Sequence, residues 1–267
     1  MNILFSINSK FKQRLIDCIH SIERFDGNYN IYILHSDLSD RDIDEIKNLV
    51  GANIIVKGIY ISPGSVRDFP ESKRYPREIY YRIFAAQLLP KSLERVLYLD
   101  ADIIAINPLD GLYNMDFDGA YFIACTHTRE FLTKINCARL GAKSNSIYVN
   151  TGVMLMNLEA LRKYQKIDDV YEFVEHKKAL LLPDQDIITA LYGYKVKLAD
   201  SMIYNLSDRT LALYNVDIRN EKRDITWVRQ NTVIIHYFGR QKPWNEKYIG
   251  VLNVFYKELI EQYGGRK

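Results

Sequence analysis

Two aspartates with one residue between them, Asp100 and Asp102 around Ala101, close the apolar run RVLYLDAD at residues 95–102. Side chains at i and i+2 of an extended segment point to the same side. Carboxylates so placed repel each other unless a cation lies between them. Hard divalent ions such as Mg2+ and Mn2+ take oxygen ligands and share them with a substrate's phosphates. The plainer alternative is a solvated turn, or an Asp capping the following NPLDGLY segment. The place of the pair, directly after an apolar strand, favours the metal.

Four further segments carry chemistry. In HYFGRQKPW (236–244), His236 can ligate a transition ion such as Mn2+. Gly239 permits a turn or close approach of backbone to a ligand, and Lys242 adds a point charge suited to phosphate. In NTGVMLMNL (150–158), Asn150, Thr151 and Gly152 put small polar groups before a buried strand, as a sugar site or a simple turn would. In LPDQDIIT (182–189), Asp184, Gln185 and Asp186 follow Pro183 at a helix start. Capping and the helix dipole favour acids there, so one of the two is structural. In REIYYRIFA (77–85), Arg82 beside Tyr80 and Tyr81 sits in an apolar helical context, which is costly unless the charge is paired. A bound pyrophosphate and an ion pair with a buried Asp both account for it.

The elements that must position these groups alternate. Strands are expected at 2–8, 30–37, 53–59 and 95–100, and helices at 11–25, 39–50 with Ser39 as N-cap, and 77–90, ended by Pro90. This rhythm implies a parallel sheet with helices on both faces and ligands beyond the carboxyl ends of its strands. Later strands are expected at 119–125, 150–158 and 231–239, and helices at 168–181, 184–193 and 245–264. Segment 61–77, with three prolines and mixed charge, reads as a loop able to order over a ligand.

The 267 residues suffice for one α/β domain, in two parts that meet near residue 110, where the regular strand–helix alternation ends. A net charge of +3 is too mild for nucleic acid and compatible with an anionic small substrate. The three cysteines, Cys18, Cys125 and Cys137, form no CxxC pair, which predicts neither zinc nor disulfides and a reducing compartment. No apolar run is long enough for a signal peptide or a membrane span. The single sequon, Asn205-Leu206-Ser207, is read as a chance match.

Taken in order, YYRIFAAQLLP…RVLYLDADII, NTGVMLMNL, DQDIIT and HYFG-x-x-KPW resemble the family 8 glycosyltransferases, over most of the chain. The resemblance implies a GT-A fold, Rossmann-like, with a mixed but mainly parallel sheet and helices on both faces. It implies a retaining hexosyltransferase that moves galactose or glucose from a UDP-sugar to a carbohydrate-bearing acceptor. Asp100, Asp102 and His236 would hold Mn2+ (or Mg2+) against the UDP diphosphate, with Ala101 between the acids. Gly239 and Lys242 would bind the diphosphate and Arg82 would contact the donor. Asn150 and Gly152 would line the sugar site, with Asp184 and Gln185 at the donor hexose as the catalytic candidates. Ser6 to Asn8 would meet the uridine.

Two positions depart from the pattern. Asn8 stands where many members have Asp, and His127 where some carry an acid. The short end FYKELIEQYGGRK lacks the basic, aromatic extension of membrane-bound relatives, so a cytoplasmic protein is expected, with at most weak peripheral attachment at the inner face of the membrane. Two other classes share part of this pattern. A Mg2+-dependent haloacid-dehalogenase-like phosphohydrolase also places Asp-x-Asp after an apolar strand, but no later Gly-Asp pair exists here. A non-catalytic nucleotide-sugar-binding module would not need the whole set. A Rossmann dehydrogenase is disfavoured because GxGxxG is absent.

Overall fold

Strands β1 (Asn2–Ser6), β2 (Tyr29–His35), β3 (Ile54–Tyr60) and β4 (Arg95–Leu99) pair in parallel in the spatial order β3-β2-β1-β4. The computed structural model describes residues 1–264 apart from 68, 73–74, 129 and 178–179. After β4 come β5 (Ile103–Ala105), β6 (Phe122–Cys125), β7 (Asn150–Asn157), β8 (Val196–Leu198) and β9 (Ile234–His236). β7 joins β4 antiparallel, β6 joins β7 antiparallel, and β8 closes the seven-stranded sheet parallel to β6. The expected mixed, mainly parallel sheet is therefore present. β5 and β9 form a separate antiparallel pair.

Both faces of the sheet are covered, and the alternation of the strands shows how. Ile3, Phe5, Leu97 and Leu99 point to one face with Leu15, Ile19 and Ile46 from the helices Lys12–Glu23 and Asp40–Leu49. Leu4, Val96, Tyr98, Met154 and Met156 point to the other, with Ile83, Phe84 and Ile187. A third cluster, with Ile104, Leu206, Ile235 and Phe255, packs around β5 and β9. Each such side chain taken from water contributes roughly 1.5–3 kcal/mol. That exceeds the gain of about 1 kcal/mol from a helix cap. Packing therefore decides where the helices sit and caps decide where they begin.

Four local expectations are corrected. The segment 77–90 is not one helix. It runs as α over Glu78–Tyr81, 3-10 over Arg82–Phe84 and α over Ala85–Leu88. The break falls where the Arg82 Nε donates to the Ile79 carbonyl at 3.0 Å, an acceptor the α-helical ladder would otherwise use. Residues 100–102 turn rather than continue β4, so the i, i+2 argument does not hold as stated. The strand at 231–239 shrinks to β9 because residues 225–231 are helical and Gly239 leaves the strand at φ +101°. The closing helix begins at Asn253, not 245. Before it, Asp208 fixes a looped segment by accepting from Tyr248 Oη and from the Leu252 N–H at 3.0 Å. Segment 61–77 is irregular in its described part, with Phe69 stacked on Tyr80 at 4.4 Å; residues 68 and 73–74 lie outside the described residues.

Cys18, Cys125 and Cys137 are free and buried. No helix among the described residues is long and apolar enough to cross a membrane.

Ser39 caps the helix Asp40–Leu49 in a reciprocal capping box with Asp42. Ser39→Ala is expected to lower unfolding free energy by about 1 kcal/mol, measured as a shift in the urea midpoint with an unchanged slope.

Candidate active site

The antiparallel entry of β7 beside β4 sets the geometry. An antiparallel neighbour begins where its partner ends, and the register Leu99↔Val153 puts Asp100 opposite Gly152. The Asp100 N–H donates to the Gly152 carbonyl at 2.8 Å. On the other side, the register Ile103↔His236 brings β9 alongside the Asp pair. The Tyr237 N–H donates to the Asp102 carbonyl at 3.0 Å. Two strand pairings thus bring together residues far apart in sequence.

Each carboxylate divides its oxygens between scaffold and cleft. Asp100 Oδ1 takes Arg82 Nη2 at 3.0 Å and the Tyr98 hydroxyl at 2.8 Å. Its Oδ2 lies 3.8 Å from His236 Nε2. Asp102 Oδ2 takes Lys242 Nζ, while its Oδ1 lies 3.1 Å from His236 Nε2. Burial alone would raise the Asp102 pKa, but the neighbouring His236 and Lys242 hold it well below the usual carboxylate range. Gly152 makes room for the cluster: a β-carbon there would overlap the His236 ring and stand 2.7 Å from Asp100 Oδ2.

A divalent cation fits these residues. Ligand atoms of Asp100, Asp102 and His236 lie within 4.8 Å of one another. His236 is buried, and its Nε2 has no hydrogen-bond partner although it faces two carboxylate oxygens. Two carboxylate oxygens and one imidazole nitrogen are donors that a divalent ion accepts.

Arg82 is held by ion pairs within the protein. Its buried guanidinium bridges Asp100 and Asp184, the latter at 3.2 Å, lies over the Tyr98 ring and donates to the Thr151 carbonyl at 3.1 Å. Burial acts to lower its pKa, and Asp100 and Asp184 more than offset that, so it stays charged. Asp184 is occupied as well: it accepts from the Thr151 hydroxyl at 2.5 Å, and burial raises its pKa against the opposing effect of Arg82. Asp186 is the fully buried structural acid, accepting from Arg139, Tyr148 and the Leu181 N–H at 2.8 Å each.

The cleft has a volume of about 1420 Å³. Asp100, Asp102, Asn150, Gly152, Asp184, Gln185, His236, Gly239, Lys242 and Arg82 all line it. Ala101 is buried behind the pair. Gln185 faces the cleft with no side-chain hydrogen bond among the described residues. Two expected residues stand apart. The Ser6 hydroxyl is spent on the Glu78 carbonyl at 2.5 Å. Asn8 lines a separate pocket of about 320 Å³ with Ser36 and Glu78, its Oδ1 buried and unpartnered.

Several functional candidates escape the motifs. Phe11, 40% exposed, offers an aromatic face at the cleft; an aromatic just after a strand end was the available signal. His127 also lines the cleft. Its Nε2 faces the Asn205 carbonyl at 2.7 Å, and its ring stacks on Phe238 at 4.8 Å. Asn205, read as a chance sequon, is fully buried and touches His236 at 2.9 Å. A glycan could not be attached there without unfolding the site.

The fold is that of GT-A glycosyltransferases. It superposes on the galactosyltransferase LgtC, solved with donor and acceptor sugar analogs, with a TM-score of 0.80 over 98% of this chain and 96% of that one, at 24% identity. The chain belongs to glycosyl transferase family 8, whose profile matches residues 2–248. It is 24% identical to a lipopolysaccharide 1,2-glucosyltransferase of Escherichia coli, over 92% of this chain and 73% of that protein. It is 26% identical to a putative glycosyltransferase of Haemophilus influenzae, over 92% of this chain and 74% of that protein. The phosphohydrolase and binding-module alternatives give way to a glycosyltransferase.

Two expectations follow. Gly152→Ala should cost about 1–3 kcal/mol through overpacking and displace His236. Thermal melts and Mn2+ titration measure the two effects, and Mn2+ affinity should fall further than stability. Burial lowers the His127 pKa from 6.5 to about 4. Between those values the unfolded chain binds the extra proton, so stability is lost as pH falls through that window, by at most about 3 kcal/mol. His127→Gln should flatten that part of the stability-against-pH curve.

Proposed function

We propose that this family 8 glycosyltransferase moves a hexose, glucose or galactose, from a UDP-sugar to a hydroxyl of a carbohydrate-bearing acceptor, dependent on Mn2+ and with retention at the anomeric carbon. The convergence of Asp100, Asp102 and His236 around a glycine that cannot carry a side chain is the observation that carries this reading. When bound, the ion would supply Lewis-acid stabilisation of the charge that builds on the departing diphosphate.

The chain's own residues supply the rest. Lys242, paired with Asp102, is the cation best placed to turn to a diphosphate. Gly239 offers open backbone beside it, since nothing lies within 4 Å of where its β-carbon would stand. Asn150 and Gln185 line the cleft with amides able to hydrogen-bond sugar hydroxyls. A cleft of about 1420 Å³ exceeds the roughly 300–1,000 Å³ usual for one small ligand. It has room for donor and acceptor sugar together.

Retention by double displacement needs a carboxylate free to attack. Asp184 is tied to Arg82 and Thr151, and the Gln185 amide is a poor nucleophile. A front-side path is therefore favoured, in which the leaving phosphate takes the acceptor's proton. The relatives that carry "lipopolysaccharide" in their names support a glycan acceptor.

A panel of UDP-sugars with Mn2+, read out by release of UDP, tests the donor. One UDP-hexose should be turned over in preference to the others. Asp100→Asn combined with Asp102→Asn should lower that rate on the order of 10³-fold or more. Retention of most activity by the double variant, with metal supplied, would disprove the metal assignment.

A further inference from the structure

We propose that Asn205 is a positioning residue for the metal site: its side-chain amide holds the His236 imidazole with the proton on Nδ1 and so presents the Nε2 lone pair to the ion between Asp100 and Asp102. The inference rests on the metal-dependent reading above and adds a residue that no motif includes.

A backbone N–H, which can only donate, fixes the direction of the hydrogen bonds around Asn205. The Gly152 N–H points to the Asn150 side chain at 3.1 Å. An N–H only donates, so the Asn150 atom facing it is Oδ1. The Asn205 side chain approaches that same Oδ1 at 3.0 Å, so the Asn205 atom there is the amide nitrogen. The other end of the Asn205 amide is then its oxygen, and it faces His236 Nδ1 at 2.9 Å. An amide oxygen only accepts, so Nδ1 carries the proton. Nε2 faces Asp102 Oδ1 at 3.1 Å and Asp100 Oδ2 at 3.8 Å, the place from which a neutral ring would give its lone pair to an ion. Turning the Asn205 amide over would set its oxygen against the Asn150 oxygen.

The node is rigid. Asn205 is 0% and His236 2% exposed. The Leu206 N–H donates to the Ile234 carbonyl at 2.9 Å, and the His236 N–H to the Leu206 carbonyl at 2.7 Å, fixing both side chains on adjoining backbone. A ligating histidine is commonly oriented through its other ring nitrogen, and loss of that partner costs about 10–100-fold in metal affinity.

The test begins with wild-type protein. Nitrogen-15 NMR of metal-free, histidine-labelled protein, with His236 assigned by the resonance lost in His236→Asn and the pH raised until that ring is neutral, should show the remaining proton on Nδ1. The opposite tautomer would overturn the proposal. Asn205→Leu should bind Mn2+ about 10–100-fold more weakly and lose the fixed position of the Nδ1 proton in the same spectrum. A folded Asn205→Leu with wild-type Mn2+ affinity and an unchanged metal-free melting temperature would also overturn it. If that variant fails to fold, the wild-type tautomer alone decides. Wild-type protein that takes up no Mn2+ would instead sink the metal site beneath the inference, a failure separate from the tautomer result.

Discussion

Everything in the cleft depends on keeping two carboxylates ionised and close together where the sheet shields them from water. Like charges at such distances repel, and burial adds a desolvation cost for each. Arg82 and Lys242 offset both effects, one behind each acid. Because each cation takes one oxygen, the other oxygen of each pair stays turned toward His236. The compensating charges therefore also aim the acids. A single cation between the two would have neutralised them without leaving a shared face.

The fold supplies this arrangement through a change of direction in the sheet. Had β7 run parallel to β4, its first residues would lie at the opposite end of the sheet, away from Asp100. The antiparallel pairing brings Gly152 and Asn150 to the site, and the short β5–β9 pair does the same for His236. The mainly parallel half, β1 to β4, places Ser6 and Asn8 at its carboxyl edge, as such sheets do for nucleotides. The two directions meet at Asp100.

Legibility in the sequence followed the range of the interactions. The strands β1, β2 and β4 were readable because their apolar runs are local and both faces are covered. Asp100, Asp102 and His236 were readable as motif members, though nothing local says that they meet; the resemblance to a family supplied that. The helix at 77–90 was misread because Arg82, at its break, reaches Asp100 in the turn after β4 and Asp184 on the helix Pro183–Tyr192, which no helical periodicity records. The sequon at Asn205 was rightly read as chance, but the residue's place in the site was missed for the same reason. Its type and spacing match a sequon, while its contacts, with Asn150 and His236, lie far off in sequence. The late start of the closing helix was equally non-local, since Asp208 holds the preceding loop.

The charges around the metal ligands differ from those of the cleft as a whole. Leaving His236 aside, Asp100, Asp102 and Asp184 outweigh Arg82 and Lys242 by one negative charge. The wider lining adds Asp217 and three arginines, Arg209, Arg219 and Arg240, so that five bases face four acids over the whole cleft. Charges act strongly on one another where little water screens them. The cluster's excess of one carboxylate therefore attracts a cation at the same place where the arginines of the wider lining attract an anion. A cation sharing Asp102 would weaken its pair with Lys242 and leave the ammonium group freer to meet that anion.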